Sequence, residues 1–290
     1  MASVCDVCFR RCRLDEGRRG FCGARVCAGG HVVPLSRGCF SSVSLDPIEK
    51  KPLRHFMAGS RILSVGSFGC NMRCPFCQNS SISWSDEAME RFEECRQGEA
   101  WSPERLAELA RATVPRGNIG VAFTYNEPLV NWEYVRDAAR LLHAMGLKCV
   151  LVTNGCAGER ILDELDGLVD AMNIDLKSFS ASCYRRFLGG DLDMVRNFIA
   201  RAAGICHVEI TTLIVPKMND SVEEMRQMAA WIADLADRGG RSLNGSVPYH
   251  VTRFFPCFRL ADRPATDVET VRRLARVAGE SLKHVYAGNC

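Results

Sequence analysis

The side chains best suited to chemistry in this 290-residue chain are its 16 cysteines. Three of them, Cys70, Cys74 and Cys77, follow one another with C-x3-C-x2-C spacing. Three thiolates at this spacing surround one face of a compact metal centre. A tetrahedral zinc ion would need a fourth protein ligand, whereas a four-iron cluster held by three cysteines leaves one iron open to an outside ligand. The motif therefore predicts a metal centre.

A second group of thiols stands near the start of the chain. Cys5, Cys8, Cys12 and Cys22 have C-x2-C-x3-C-x9-C spacing. Four thiolates close a structural zinc site or saturate an iron–sulfur cluster, and the spacing does not choose between them. A zinc ion would mainly hold this coreless segment folded, whereas a cluster beside basic residues could relay electrons.

Composition limits the class of protein. With 47% hydrophobic and 24% charged residues, the chain has the composition of a soluble globular protein. It has no apolar run of the roughly 18 residues that a membrane helix needs, and its first residues lack the apolar stretch of a signal peptide. We therefore expect a cytoplasmic protein with no membrane association. Thiols stay reduced there, so metal binding is favoured over disulfides.

The net charge is small but unevenly distributed. A value of +3 is too low to indicate a nucleic-acid-binding protein. Residues 1–60 nevertheless carry ten Lys or Arg against five Asp or Glu. This excess describes either a solvated basic face or a docking surface for an acidic electron donor such as flavodoxin or ferredoxin.

From residue 61 onward, β-branched runs alternate with helical patterns. The runs cover residues 61–68, 118–125, 148–154, 171–176, 207–216 and 247–255. Helix starts are indicated by Ser102 before Pro103 and by two capping boxes, Ser221 with Glu224 and Thr266 with Glu269. Strands that alternate with helices form a parallel sheet with right-handed crossovers.

Six such units are fewer than the eight of a closed barrel. The predicted fold is therefore α/β, a partial (β/α)6 TIM-like barrel with a small N-terminal Cys-rich metal-binding module. We expect three parts: residues 1–60 as the module and a connecting arm, 61–256 as the barrel, and 257–290 as a C-terminal helix and strand. Ligands should bind at the C-terminal ends of the barrel strands.

The C-x3-C-x2-C motif, with the aromatic Phe76 before its last cysteine, resembles that of the radical S-adenosylmethionine (SAM) superfamily. The resemblance implies that Cys70, Cys74 and Cys77 ligate a [4Fe–4S] cluster. It also implies that the open iron is chelated by the amino and carboxylate groups of SAM, with Phe76 near the adenine. Asn79, two residues beyond the motif, belongs to the same implied cofactor site.

Residues at the later strand ends fit the same cofactor. The segment Thr124–Pro128 is placed like the family's Gly-Gly-Glu-Pro segment, with Glu127 for the methionine amino group and Tyr125 and Asn126 in place of the two glycines. Asn154 could bond a ribose hydroxyl. Asp175 and Lys177 share a strand face and suit ribose and carboxylate contacts, or form a structural ion pair.

His250 lies on the sixth predicted strand. It could contact the cofactor carboxylate or act in proton transfer, although a lone histidine is more often structural.

Several further segments extend the resemblance. Residues 46–53, 213–216, 254–256 and 285–289 look like those of the radical SAM component of the AmmeMemoRadiSam system, a relative of pyruvate formate-lyase-activating enzymes. This implies Memo-like and AMMECR-like partner proteins. The expected function is an oxidoreductase that cleaves SAM reductively to a 5′-deoxyadenosyl radical, which abstracts hydrogen from an unidentified substrate. The alternatives are a glycyl-radical-enzyme activase and a zinc-dependent binding module built on residues 1–30.

Overall fold

The computed structural model describes residues 2–290. Two short antiparallel pairs form the N-terminal part: β1 (Ser3–Val4) with β2 (Arg13–Leu14), and β3 (Arg25–Ala28) with β4 (His31–Pro34). These short strands cannot bury a core of their own. We therefore expect the folding of this part of the chain to depend on a metal centre bound by its thiols.

The main sheet has eight strands, arranged in chain order from one edge to the other. They are β5 (Ser42–Pro47), β6 (Arg61–Gly66), β7 (Asn118–Thr124), β8 (Lys148–Thr153), β9 (Ala171–Asp175), β10 (His207–Ile214), β11 (Tyr249–Arg253) and β12 (Val285–Gly288). Strands β6 to β12 pair in parallel, and β5 pairs antiparallel with β6. Because β5 and β12 remain at opposite edges, the barrel is partial.

Helices connect the parallel strands. Between β6 and β7 lie α1 (Ser80–Ser83), α2 (Asp86–Gln97) and α3 (Pro103–Ala112). The later connections contain α4 (Trp132–Ala144), α5 (Glu159–Leu165), α6 (Ala181–Cys183) with a π-helical turn at Tyr184–Leu188, α7 (Leu192–Ala202), α8 (Val222–Ala233) and α9 (Val268–Ala278). The six predicted strands correspond to β6–β11, so the partial α/β barrel is confirmed. Strands β5 and β12 extend it at its edges.

The helix caps agree with the sequence in two places and differ in one. Ser102 Oγ accepts from Arg105 N, and Ser221 Oγ accepts from Glu224 N. The predicted cap at Thr266 is wrong, because Asp267 accepts from Thr270 N instead. Thr266 is buried and donates to the carbonyl of Ile214 at 2.6 Å, so its hydroxyl is already used in the core.

The two faces of the sheet bury different surfaces. Its outer face packs against the helices in the largest apolar cluster. Its inner face is closed at one end by a short segment after β5, where Ile48 and Leu53 pack against apolar side chains of the strands. The same segment is tied to the barrel wall by hydrogen bonds from Asn173 Nδ2 to Pro52 O at 2.9 Å and from His55 N to Glu209 Oε1 at 2.7 Å. We call this segment, from Ile48 to His55, the floor segment.

None of the helices in residues 2–290 combines the length and the apolar character that crossing a membrane requires.

Candidate cofactor and metal site

The loop with the three closely spaced cysteines begins where β6 ends. Gly69 opens it with φ +94°, a conformation that glycine adopts without strain. Met72 N donates to Cys70 Sγ at 3.4 Å, and Arg73 closes the loop by donating to Cys70 O at 2.8 Å. These contacts fix the loop at the C-terminal end of the barrel strands.

The three thiols lie close enough to influence one another electrostatically. Burial is the main reason why the pKa values of Cys70, Cys74 and Cys77 are raised, that of Cys74 to about 12. Neighbouring thiols raise the pKa values of Cys70 and Cys74 further, and the Asp175 carboxylate does so for Cys77. The Lys177 ammonium opposes this shift at Cys74 and Cys77. A buried group of thiols beside a cation suits a site that stabilises thiolates only when a metal centre binds.

No three His, Cys, Asp or Glu side chains among residues 2–290 converge on a position for a single metal ion. A four-iron cluster bonds each cysteine to a different iron, so its thiolates do not need to converge on one point. The grouping of three thiols in one loop fits such a cluster.

Glu127 is a buried carboxylate next to the cysteine loop. Its Oε1 accepts from Thr153 Oγ1 at 2.7 Å and from Leu129 N at 3.0 Å, and its Oε2 accepts from Asn154 N at 2.8 Å. Burial raises the pKa of Glu127 to about 7, although these hydrogen bonds act in the opposite direction. Oε2 has one protein donor, so it retains a lone pair for a ligand.

Tyr125 and Asn126 join the end of β7 to both sides of the cysteine loop. The carbonyl of Tyr125 accepts from Asn79 Nδ2 at 2.8 Å. Asn126 Nδ2 donates to Gly69 O at 3.0 Å, and Asn126 Oδ1 accepts from Ser67 N at 2.9 Å. The side chains of Asn79 and Asn126 therefore hold the loop in a fixed position relative to Glu127.

Asn154, at the end of β8, directly contacts the loop. Its Nδ2 donates to Cys70 Sγ at 3.7 Å and to Asn71 Oδ1 at 2.9 Å. Its Oδ1 accepts from Cys156 N at 2.8 Å. The structure thus brings Glu127, Asn154 and Cys70 into one chain of hydrogen bonds.

Asp175 and Lys177 form an ion pair at the end of β9, with 2.8 Å between Lys177 Nζ and Asp175 Oδ2. Burial alone would lower the pKa of Lys177, but the Asp175 carboxylate and the Cys74 thiol outweigh it and raise that pKa. The pair therefore faces the cysteine loop, as the strand alternation predicts.

His250 sits beside a buried carboxylate that the sequence analysis missed. Its Nε2 lies 2.7 Å from Glu209 Oε2, and Glu209 is fully buried. His250 pairs in register with Thr211, which also pairs with Asp175, so all three share one row on the inner face. Glu209 could have been found by its alternation with Thr211 along β10.

Phe76 is 4% exposed and belongs to the main apolar cluster. Its carbonyl accepts from Cys257 Sγ at 3.1 Å. The proposed contact of its ring with adenine stays a prediction.

The four N-terminal cysteines are also brought together. Cys5, Cys8, Cys12 and Cys22 line one small cavity, together with Asn71 from the other cysteine loop. Burial is the main cause that raises the pKa of Cys8 to about 11, and the three other thiols raise it further. Two groups of thiols therefore stand on either side of Asn71.

Two further contacts join these sites. Arg10 Nε donates to Asn71 O at 3.0 Å. A Cβ on Gly69 would lie 2.7 Å from Cys22 O, so the backbones of the two cysteine segments touch. Arg25 anchors the same region through paired hydrogen bonds of 2.9 and 2.7 Å to the Glu133 carboxylate on α4.

Comparison with known proteins agrees with this geometry. The Radical SAM superfamily matches residues 64–231, which span the cysteine loop and the strands from β7 to β10. An uncharacterized protein of Methanocaldococcus jannaschii is 35% identical over 289 residues, covering 98% of this chain and 80% of that protein. The chain belongs to the radical SAM superfamily and is an enzyme of that superfamily.

More distant matches support the same fold. GTP 3′,8-cyclase of Geobacter sulfurreducens is 33% identical over 156 residues, which are 52% of this chain and 45% of that protein. Streptococcus suis SuiB bound to S-adenosylmethionine has a TM-score of 0.56 at 11% identity, over 76% of this chain and 48% of that one. At that identity the second match shows the fold alone.

Proposed function

We propose that the protein cleaves SAM reductively at a [4Fe–4S] cluster held by Cys70, Cys74 and Cys77. The observation that carries this proposal is the hydrogen-bond chain from Glu127 through Asn154 to Cys70 at the strand ends. When bound, such a cluster supplies the electron that breaks the C5′–S bond of SAM and so releases a 5′-deoxyadenosyl radical. That radical abstracts hydrogen from the substrate.

The protein's own residues bind and orient the cofactor. Glu127 accepts a hydrogen bond at Oε2 from the amino group of SAM, while Thr153 and Asn154 hold the Glu127 carboxylate in place. We assign contacts with the SAM ribose and carboxylate to Asp175 and Lys177, whose pairing keeps both charged groups at the mouth of the barrel. Tyr125, Asn126 and Asn79 set the distance between Glu127 and the cluster loop.

We propose that the substrate binds in the interior of the barrel, next to this site. Two buried polar atoms there, Asn173 Oδ1 and Thr211 Oγ1, have no hydrogen-bond partner within residues 2–290. His250, held by Glu209, lies in the same row as Thr211 and is the candidate for substrate proton transfer or for a cofactor-carboxylate contact. A polar substrate group would satisfy both orphaned atoms.

For the four N-terminal thiols we propose a second metal centre, either zinc or an iron–sulfur cluster. Their common cavity and its contact with Asn71 support this assignment. A cluster there would be placed to pass electrons from a donor such as flavodoxin or ferredoxin, which the arginines of residues 1–60 would attract. The division into module, barrel and C-terminal part at residues 60 and 256 is part of the same proposal.

A protein partner is proposed at the rim of the barrel. Phe187 and Phe255, in the connections after β9 and β11, are 53% and 43% exposed. Exposed aromatic side chains favour a macromolecular contact, and Memo-like and AMMECR-like proteins are the proposed partners. The same observation supports the activase alternative, which would transfer isotope label from a glycine Cα of the partner into 5′-deoxyadenosine.

The central proposal is tested by anaerobic reconstitution with iron and sulfide, followed by reduction in the presence of SAM. We expect 5′-deoxyadenosine from the wild type and at least a hundredfold less from Cys70→Ala, because a cluster needs all three thiolates. Cys95→Ala is the matched control, since Cys95 lies on α2, where its thiol donates to the Phe40 carbonyl and it belongs to neither group of closely spaced cysteines. Retained cleavage in Cys70→Ala would show that the ligand assignment is wrong.

Metal analysis of a variant without Cys70, Cys74 and Cys77 tests the N-terminal site separately. Zinc or iron that remains, and is lost on further substitution of Cys8 and Cys22, supports a second metal centre. Zinc without any iron or sulfide in the wild-type protein would instead favour the binding-module alternative.

A further inference from the structure

Tyr125 has a backbone conformation that is unusual for its residue type. Its φ is +73°, in the left-handed region that glycine occupies freely and bulky side chains rarely adopt. This is the position at which the resembling family segment has glycine. The backbone therefore takes the glycine-like turn, although the residue is tyrosine, and something must hold it there.

The tyrosine hydroxyl is held by a buried ion pair. Tyr125 OH donates to Asp46 Oδ2 at 2.8 Å, and Lys51 Nζ donates to the same oxygen at 3.0 Å. Lys51 Nζ also stands 4.6 Å from the centre of the Tyr125 ring. Asp46 and Lys51 are 6% and 2% exposed. A charge-assisted hydrogen bond in such surroundings is strong enough to oppose backbone strain.

The ring has a place prepared for it on β6. A Cβ on Gly66 would lie 2.9 Å from Tyr125 Cδ2 and 2.8 Å from Ser41 Oγ. Glycine at position 66 therefore leaves the space that the tyrosine ring fills. The hydroxyl, the ring and the backbone of Tyr125 are each specified by a different neighbour.

The conformation of Tyr125 sets the positions of the groups assigned to SAM. Its carbonyl is bound by Asn79, just after Cys77, and the next two residues bind Gly69, just before Cys70. Glu127 itself lies two residues after Tyr125 in the sequence. A change in φ at Tyr125 would move Glu127 relative to the cysteine loop.

We propose that Asp46 and Lys51 are positioning residues for SAM binding, acting through the hydroxyl of Tyr125. They hold the turn between β7 and Glu127 in its left-handed conformation and so replace the conformational freedom of glycine. This inference rests on the proposed SAM chemistry and adds to it a role for β5, the antiparallel edge strand, and for the floor segment that follows it.

The test compares SAM dissociation constants of the reconstituted protein, read from the change that SAM causes in the electron paramagnetic resonance spectrum of the reduced cluster. Tyr125→Phe removes only the hydroxyl and leaves the Asp46–Lys51 pair intact. We expect it to weaken SAM binding about tenfold, with iron content unchanged, because strain of this size is no longer opposed. Tyr134→Phe is the matched control, as Tyr134 OH binds Ser102 O on the helical side of the sheet.

Glycine at position 125 separates positioning from general stability. Asp46→Asn should weaken SAM binding about tenfold in the wild-type background but less than about twofold in Tyr125→Gly, since glycine adopts the turn unaided. An equal effect of Asp46→Asn in both backgrounds would overturn the proposal. So would Tyr125→Phe with wild-type affinity. If the wild-type protein itself failed to bind SAM, the proposed function would fail instead.

Discussion

The carboxylate of Glu127 illustrates how single residues determine the behaviour of this site. It is 2% exposed and accepts hydrogen bonds from three protein donors, and we propose that it also accepts one from the amino group of SAM. Burial without a cation explains why its pKa is raised to about 7. Near neutral pH the carboxyl is therefore divided between its protonated and ionised forms.

SAM affinity should consequently depend on pH through Glu127. The ionised form is the stronger acceptor for the N–H groups of the SAM amino group, and its fraction rises about tenfold between pH 6 and pH 8 for a pKa near 7. We expect the SAM dissociation constant to fall by a similar factor over this range. Glu127→Gln should bind SAM weakly with little pH dependence. Glu223→Gln, at an exposed position of α8, should behave like the wild type. A pH profile that Glu127→Gln retains in full would contradict this assignment.

Without SAM, the same shift affects stability in the opposite direction. The folded protein holds a proton on Glu127 at pH values where the unfolded chain, with its ordinary pKa of 4.5, has lost it. This contribution is fully present below pH 4.5 and is lost as the pH rises through about 7. Addition of SAM should reduce or reverse this trend in thermal unfolding.

Among the structural elements, β7 and β8 leave no room for a side chain where they pair at Gly120. Gly120 pairs with Lys148, and a Cβ on Gly120 would lie 1.9 Å from Lys148 O. These strands lead to Glu127 and Asn154, so their spacing affects the positions of both residues. Glycine is required at position 120 because any Cβ there would collide with the backbone of β8.

Gly120→Ala should therefore separate the two strands. We expect a loss of at least about 3 kcal/mol in the free energy of unfolding, because overpacking a core strand displaces its partner. Gly98→Ala, at the end of α2, has its nearest neighbour at 3.4 Å and should change stability by less than about 0.5 kcal/mol. Urea unfolding measures both, and similar values for the two variants would contradict the packing argument.

At the scale of the whole molecule, the N-terminal cysteine segment and the barrel form one structure. Arg25 is 3% exposed and binds Glu133 on α4 as well as the carbonyls of Val130 and Val32. Removal of a buried charge leaves its partner unpaired in a poorly solvated place. This contact is therefore a buried polar link between the two parts.

Arg25→Met should cost about 3 kcal/mol or more in unfolding free energy, the usual consequence of breaking a buried pair by removing one partner. Arg241→Met is the control, since Arg241 pairs with Asp237 at the surface and should contribute less than about 1 kcal/mol. Thermal unfolding of both metal-loaded variants provides the comparison. Comparable losses would mean that the Arg25 contact does not join the two parts.

The partial barrel could be predicted from the sequence because six β-branched runs alternate with helical patterns. These patterns are local in the sequence and do not depend on contacts between distant segments. The sequence also located Cys70, Glu127 and Asn154, which all follow strands. Contacts between distant segments were not predictable. Glu209 was not singled out, and Asp46 and Lys51 stood only within the segment 46–53 that extends the family resemblance. Their contacts arise from the pairing of β5 with β6 and from the path of the floor segment across the barrel.

The contact between Gly69 and the Cys22 segment has a consequence for how the enzyme is assembled. Ala24 Cβ would be 2.6 Å from a Cβ at position 69, so the N-terminal segment packs directly against the start of the cysteine loop. A carrier protein delivering iron and sulfide needs access to that loop. We expect maturation to be ordered, with the loop filled before residues 20–25 close over it and slow exchange of the inserted group afterwards.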